Sequence, residues 1–148
     1  MKQSQEEKYC LNMAGEFSVC AELQKRKIDA TVTYGNKKAV DIIIIGKNKQ
    51  AWSVEVKTTT SNKFVTGFFQ KYYQADIEPR PNFWVLVKIE DKTKNADFYV
   101  LTHKEMGEVQ KGRNKMKEWH KVIGVDNVLT EHIEEYKNKW ETILNEIK

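Results

Sequence analysis

Apolar and polar positions alternate along this chain with two different periods, and the switches between them mark out the elements. Over residues 4–27, Cys10, Met13, Ala14, Phe17, Ala21 and Gln24 recur every 3.6 residues, with charges gathered at the two ends, which predicts a leading amphipathic helix. Ile28–Tyr34 then alternates, with Ile28, Ala30, Val32 and Tyr34 to one side, and stops at Gly35-Asn36. Ala39–Ile45 is almost wholly apolar and β-branched, the composition of a strand covered on both faces. After a polar turn, Ala51–Thr58 alternates Trp52, Val54 and Val56 with Ser53, Glu55 and Lys57. In Thr59–Asn82, Phe64, Phe68 and Tyr72 recur every four residues, which predicts a helix that Pro79 and Pro81 bring to an end. Phe83–Ile89 and Asp97–Leu101 read as two further strands. His103–Val109 reads as a short helix, Trp119–Val128 as an irregular crossing segment and Thr130–Lys148 as a terminal helix. The order predicts an α/β (α+β) domain with a mixed central sheet, and no repeat or linker divides residues 1–148.

Composition narrows the class. A chain of 148 residues with 40% apolar content is one domain in size and has enough to build a core. No apolar run approaches the ~20 residues that a membrane span needs. The start MKQSQEEKY lacks the apolar stretch of a signal peptide, so the expected location is the cytoplasm. With 25 basic and 21 acidic residues the net charge is +4, which permits an anionic partner without demonstrating one. Cys10 and Cys20 lie about 15 Å apart along one helix, too far to pair, and read as small core residues. His103, His120 and His132 show no metal-ligand spacing.

The chemistry gathers at the second and third strands. A hairpin turn centred on Asn48 pairs Ile45 with Ala51, and the same register sets Asp41 opposite Glu55. Side chains opposed in this way lie about 4.5–5.5 Å apart at Cβ, where like charges repel, so two facing carboxylates call for a cation. Lys57 shares the face of Glu55, one step further along. On the leading helix Glu16 falls near the azimuth of Met13, Cys20 and Leu23 and points partly inward, which adds a third carboxylate. Hard carboxylate oxygens without His or thiolate suit Mg²⁺ or Mn²⁺. Such an ion beside a lysine is suited to hydrolysing a phosphodiester.

Glu16 in a leading helix followed by Asp-x13-Glu-x-Lys (Asp41, Glu55-Val56-Lys57) resembles the PD-(D/E)XK nuclease superfamily. It is most similar to the small prokaryotic endonuclease-like members and the archaeal Holliday-junction resolvases, which share the helix glutamate. Gly15-Glu16, Val40-Asp41-Ile42-Ile43 and Glu55-Val56-Lys57-Thr58-Thr59 carry the likeness, which covers about 13–101 and leaves about 103–148 as a C-terminal helical extension. The family's proline before the aspartate is Val40 here. The Gln-x3-Tyr motif of the exonuclease-like branch is absent, since Gln70 is followed four later by Gln74.

The resemblance implies a restriction-endonuclease-like αβββαβ core and a metal-dependent DNA endonuclease that uses Mg²⁺ or Mn²⁺. It implies that Asp41, Glu55, the Val56 backbone carbonyl and Glu16 hold the metal, and that Lys57 orients water and stabilises the phosphorane. The alternative is a catalytically inactive nucleic-acid-binding domain on the same fold. DNA, branched or linear, is the expected partner, with Lys63, Lys71 and Arg80 as phosphate contacts. Lys111, Arg113, Lys115, Lys117 and Lys121 form a second basic run. A homodimer is expected, because cutting both strands of a duplex takes two sites. The aromatics Phe64, Phe68, Phe69, Tyr72 and Tyr73 read as core, as a base-stacking surface or as a dimer interface, and for the dimer they are placed at that interface.

Overall fold

A computed structural model describes residues 2–34, 40–74, 80–114 and 125–147. The chain enters through α1 (Gln5–Lys25), begun by a capping box: the Ser4 hydroxyl accepts the Glu7 N–H while the Glu7 carboxylate accepts the Ser4 N–H. The buried face of α1 is Gly15, Val19 and Leu23, not the stripe through Phe17, whose side chain is 48% exposed. The reason is a backbone-close contact. A Cβ on Gly15 would lie 1.8 Å from Thr58 Oγ1, so only glycine lets the helix settle here, and that contact fixes its azimuth. The cysteines follow from the same rotation. Cys10 is exposed instead of part of the core, whereas Cys20 is half-buried and its thiol donates to the Ala30 carbonyl at 3.2 Å.

Strands β1 (Asp29–Val32), β2 (Ile42–Ile45), β3 (Ala51–Thr59), β5 (Phe83–Ile89) and β6 (Ala96–Thr102) form one five-stranded sheet in the order β1-β2-β3-β5-β6. Three pairings are antiparallel and β3–β5 is parallel, so the fold is mixed α/β, as the sequence predicts. The short β4 (Lys63–Val65) makes a separate two-stranded sheet with β7 (Asn127–Leu129). β5 is buried on both faces. Phe83, Val85 and Val87 join the core under α1, while Trp84 and Leu86 join a second core with Phe64, Phe68, Tyr72, Met106 and Val128. Met106 comes from α2 (His103–Arg113).

Two elements differ from the sequence prediction. Thr59–Asn82 is not one helix: Phe64 lies on β4, and the fourfold spacing of Phe68 and Tyr72 belongs to a short turn of which Gln70–Gln74 is π-helical. Their destination also corrects the dimer-interface placement, because Phe64, Phe68, Phe69 and Tyr72 are each at most 1% exposed. A second sheet face had to be covered, and these aromatics cover it; the side chain of Tyr73 lies outside the described residues. Nor is Thr130–Lys148 a single helix. It consists of 3₁₀ turns at Thr130–His132 and Glu134–Tyr136 followed by α3 (Glu141–Glu146). The break serves the free edge of β6, where Asn138 at φ +54° donates its N–H to the Phe98 carbonyl at 2.7 Å and Tyr99 bridges Lys137. Beyond it Trp140 packs on Phe98 with ring centroids 5.5 Å apart. Most of the predicted crossing segment Trp119–Val128, with Lys115, Lys117 and Lys121 of the basic run, lies outside the described residues. No helix among the described residues is long and apolar enough to cross a membrane.

Candidate functional site

The β2–β3 ladder runs from Ile45↔Ala51 to Ile42↔Val54, the register read from the turn at Asn48. β2 ends there, while β3 continues to Thr59 alongside β5. Beyond Val54, no described strand pairs with the edge of β3 that faced β2. Asp41 closes the first step of that gap. Its N–H donates to the Val54 carbonyl at 3.1 Å, and its Oδ2 accepts the Val56 N–H at 2.7 Å, in place of the next ladder bond. In a strand the N–H and C=O of one residue point to the same edge, so the Val56 carbonyl opens on the side of Asp41. α1 crosses the other face of β3 at Gly15–Thr58, and the next residue, Glu16, reaches into the gap.

The result is a cleft of about 390 Å³ lined by Glu16, Asp41, Glu55, Val56 and Lys57 together, with Lys63 and Lys71. Of the sequence-predicted site residues only Arg80 is not among those lining it; it is exposed, and its charge is felt at the Tyr72 hydroxyl. Asn12, one helical turn before Glu16, also lines the cleft and was legible from that spacing.

Glu55 is 3% exposed, and its carboxylate meets two ammonium groups and a hydroxyl among the described residues. Oε1 receives Lys57 at 3.3 Å and Lys71 at 3.1 Å, and Oε2 accepts the Tyr72 hydroxyl at 2.9 Å. Burial, and then the charge of Glu55, push the Tyr72 hydroxyl well above its ordinary pKa, so it stays a donor. Tyr72 was missed as a site residue, since nothing in its spacing sets it apart from the core aromatics around it. Asp126 was missed because no local spacing links it to the turn that it anchors. Its carboxylate accepts the Phe69 N–H at 2.8 Å and the Gln70 N–H at 3.2 Å, so a residue far along the chain anchors the turn that carries Lys71 and Tyr72.

The Glu16 and Asp41 carboxyl groups lie close enough to raise one another's charging cost. Burial first, then the Asp41 charge and a hydrogen bond to it, push Glu16 up to about 7. Burial also raises Asp41, against the pull of the Val56 N–H. The folded state therefore binds more protons here than the unfolded chain between the ordinary glutamate value of 4.5 and about 7. Stability without divalent cation should fall as pH rises through that window, since a native pKa raised above the unfolded one favours folding at the acid end. Melting temperatures of the protein and of Glu16→Gln from pH 4 to 8 check this: the difference between them should narrow or reverse toward pH 8. A constant difference would place the proton elsewhere.

A second expectation separates the two roles of Asp41. Asp41→Ala leaves the Val56 N–H without its acceptor and should lose about 1–3 kcal/mol. Asp41→Asn keeps an acceptor while removing a charge beside Glu16 and Glu55, and should stay within about 1 kcal/mol of the parent, on the stable side. Urea denaturation of both variants reads the comparison; equal losses would rule out the hydrogen bond as the cause.

The donors suit a hard divalent cation in kind, being carboxylate oxygens with a strand carbonyl on the same edge. They are not already closed around it. Among the described residues no three acidic, histidine or cysteine side chains gather about one point, and both oxygens of Glu55 are engaged by protein groups. No protein-family model matches this chain, and no curated protein matches it.

Proposed function

We propose that this cleft binds Mg²⁺ or Mn²⁺ and hydrolyses phosphodiester bonds in DNA, as the resemblance to the PD-(D/E)XK nucleases implies, in the cytoplasm. The observation that carries the reading is the convergence of Glu16 from α1, Asp41 from just before β2, and Glu55 and Lys57 from β3 on one cleft, at the point where β2 stops and β3 continues. Asp41, Glu55, the Val56 carbonyl and Glu16 would hold the ion. When bound, it supplies polarisation of the phosphoryl oxygen and a more acidic water.

The remaining work falls to the chain's own groups. Lys57, held on β3 and paired with Glu55 at 3.3 Å, presents an ammonium to the attacking water and to charge developing on phosphoryl oxygens. Glu16, raised to about 7, gives up its proton near neutral pH and adds negative charge where a cation is to be held. Lys63 and Lys71 at the cleft and Arg80 on the exposed surface would meet neighbouring phosphates. Cutting both strands of a duplex takes two such sites, which a two-fold homodimer supplies; light scattering at micromolar concentration tests it.

The engagement of both Glu55 oxygens favours one second reading, a nucleic-acid-binding domain without turnover. The deciding experiment is nicking of supercoiled, single-stranded and branched DNA with Mg²⁺ or Mn²⁺. The parent should cut, and Lys57→Ala should lose about 100-fold or more, the scale of removing a charge that stabilises the transition state. DNA binding without cutting would move the conclusion to the second reading, and neither binding nor cutting would overturn both.

A further inference from the structure

We propose that Lys71 is a built-in counter-cation that holds Glu55 while no divalent ion is bound and leaves it when one arrives. The inference rests on reading the cleft as a divalent-cation site. A carboxylate 3% exposed has to have its charge compensated, because burying an unpaired charge is strongly unfavourable. Two lysines do this on the same oxygen, Lys57 at 3.3 Å and Lys71 at 3.1 Å, and they are held differently.

Lys57 lies on β3, two residues from Glu55 on the same face, in the part of the strand paired with β5 from Val54 to Thr59. Lys71 stands on the π-helical turn that follows Gly67, which adopts φ +64°, and its N–H returns to the Gly67 carbonyl at 3.1 Å. Its side chain is 35% exposed, whereas its neighbour Tyr72 is 1% exposed and packed in the second core. The turn therefore carries one fixed group and one free to exchange. Tyr72 keeps Oε2 in place, and the Lys71 ammonium can swing into water once another positive charge takes over Oε1. The exchange would deliver a cation to the cleft mouth, where a phosphate would lie.

The test is calorimetric titration with Mn²⁺ alone, on the parent, Lys71→Met and Lys71→Gln, together with melting temperatures with and without Mn²⁺. Removing one positive charge a few ångströms from a divalent ion in a partly wet cleft should tighten Mn²⁺ binding by about tenfold, less at high salt. Both variants should melt below the parent without Mn²⁺, and the gap should close at saturating Mn²⁺. A lysine that only braces the fold would leave the gap unchanged. Lys71→Gln keeps a hydrogen-bond donor for Glu55, so it carries the comparison if Lys71→Met does not fold. Equal or weaker Mn²⁺ binding in the variants would overturn the counter-cation while leaving the metal site standing. Absence of Mn²⁺ binding in all three proteins at millimolar concentration would overturn the site and the proposal with it.

Discussion

Glu55→Ala is expected to destabilise the protein by about 2–4 kcal/mol, because several groups lose their partner at once. Tyr72, 1% exposed, is left with a hydroxyl that has no acceptor at Oε2, and a buried donor without a partner costs about 1–3 kcal/mol. Lys57 and Lys71 lose their common counter-charge and repel each other. Their side chains are 28% and 35% exposed, so both can turn toward water, which holds the total below that of a fully buried ion pair. Glu55→Gln separates the two effects. It retains an acceptor for Tyr72 while removing the charge, and should lose about half as much. Urea denaturation with an unchanged slope measures both. An alanine variant as stable as the parent would mean that the contacts to Glu55 contribute nothing net to folding. Both variants should abolish divalent-dependent cutting, because Glu55 is one of the cation's donors in the proposed site.

Gly15→Ala is the second large expectation, and it links helix packing to the site. Its added Cβ would stand 1.8 Å from Thr58 Oγ1, 2.9 Å from Cβ and 3.0 Å from Cγ2. Thr58 is β-branched and lies within β3, so rotating its side chain exchanges one clash for another and the helix has to move. Overpacking of this kind loses about 1–3 kcal/mol, which lowers the melting temperature of a protein this size by roughly 2–4 °C per kcal/mol. Glu16 moves with the helix, so nicking should fall further than the loss of folded protein explains. Thr58→Ala removes the atoms at 1.8 and 3.0 Å, and also a buried hydroxyl that has no hydrogen-bond partner. The double variant should therefore recover part of the lost stability. Purely additive losses in that double-mutant cycle would place the defect somewhere other than the helix–strand contact.

How much of this site was readable in advance depends on the distance over which each feature is decided. The register Ile45↔Ala51 to Ile42↔Val54 follows from a short turn, which is local, so it could be counted along the chain, whereas the expected step that opposes Asp41 to Glu55 lies beyond the last pair of that ladder. Glu16 was legible as an inward-leaning carboxylate, although the helix is rotated from the face that its apolar residues trace, leaving Phe17 exposed and Gly15 buried. Periodicity reports where apolar groups lie on a helix. The contact that seats the helix was set by the absence of a side chain, which a hydrophobic count does not weigh.

The amino-acid sequence alone determined the mixed α/β class, the leading helix, the register of the β2–β3 hairpin and the placing of Lys57 on the face of Glu55. Steric and hydrogen-bonding preferences within a few residues decide these. Only the tertiary structure decided which side the aromatics of Phe64–Tyr72 would cover. Their spacing suits core, interface or stacking surface equally well, and the unfilled face of β5 claims them because leaving Trp84 and Leu86 in water is the worse alternative. The same holds for Glu55. Its strand placed it beside Lys57, but its other partners arrive from a π-helical turn 16 and 17 residues on, itself anchored by the Asp126 carboxylate 57 and 56 residues beyond the amides that it accepts. Contacts of that span are settled by which packed arrangement leaves no buried charge unpaired, a property of the assembled cleft and of no single segment.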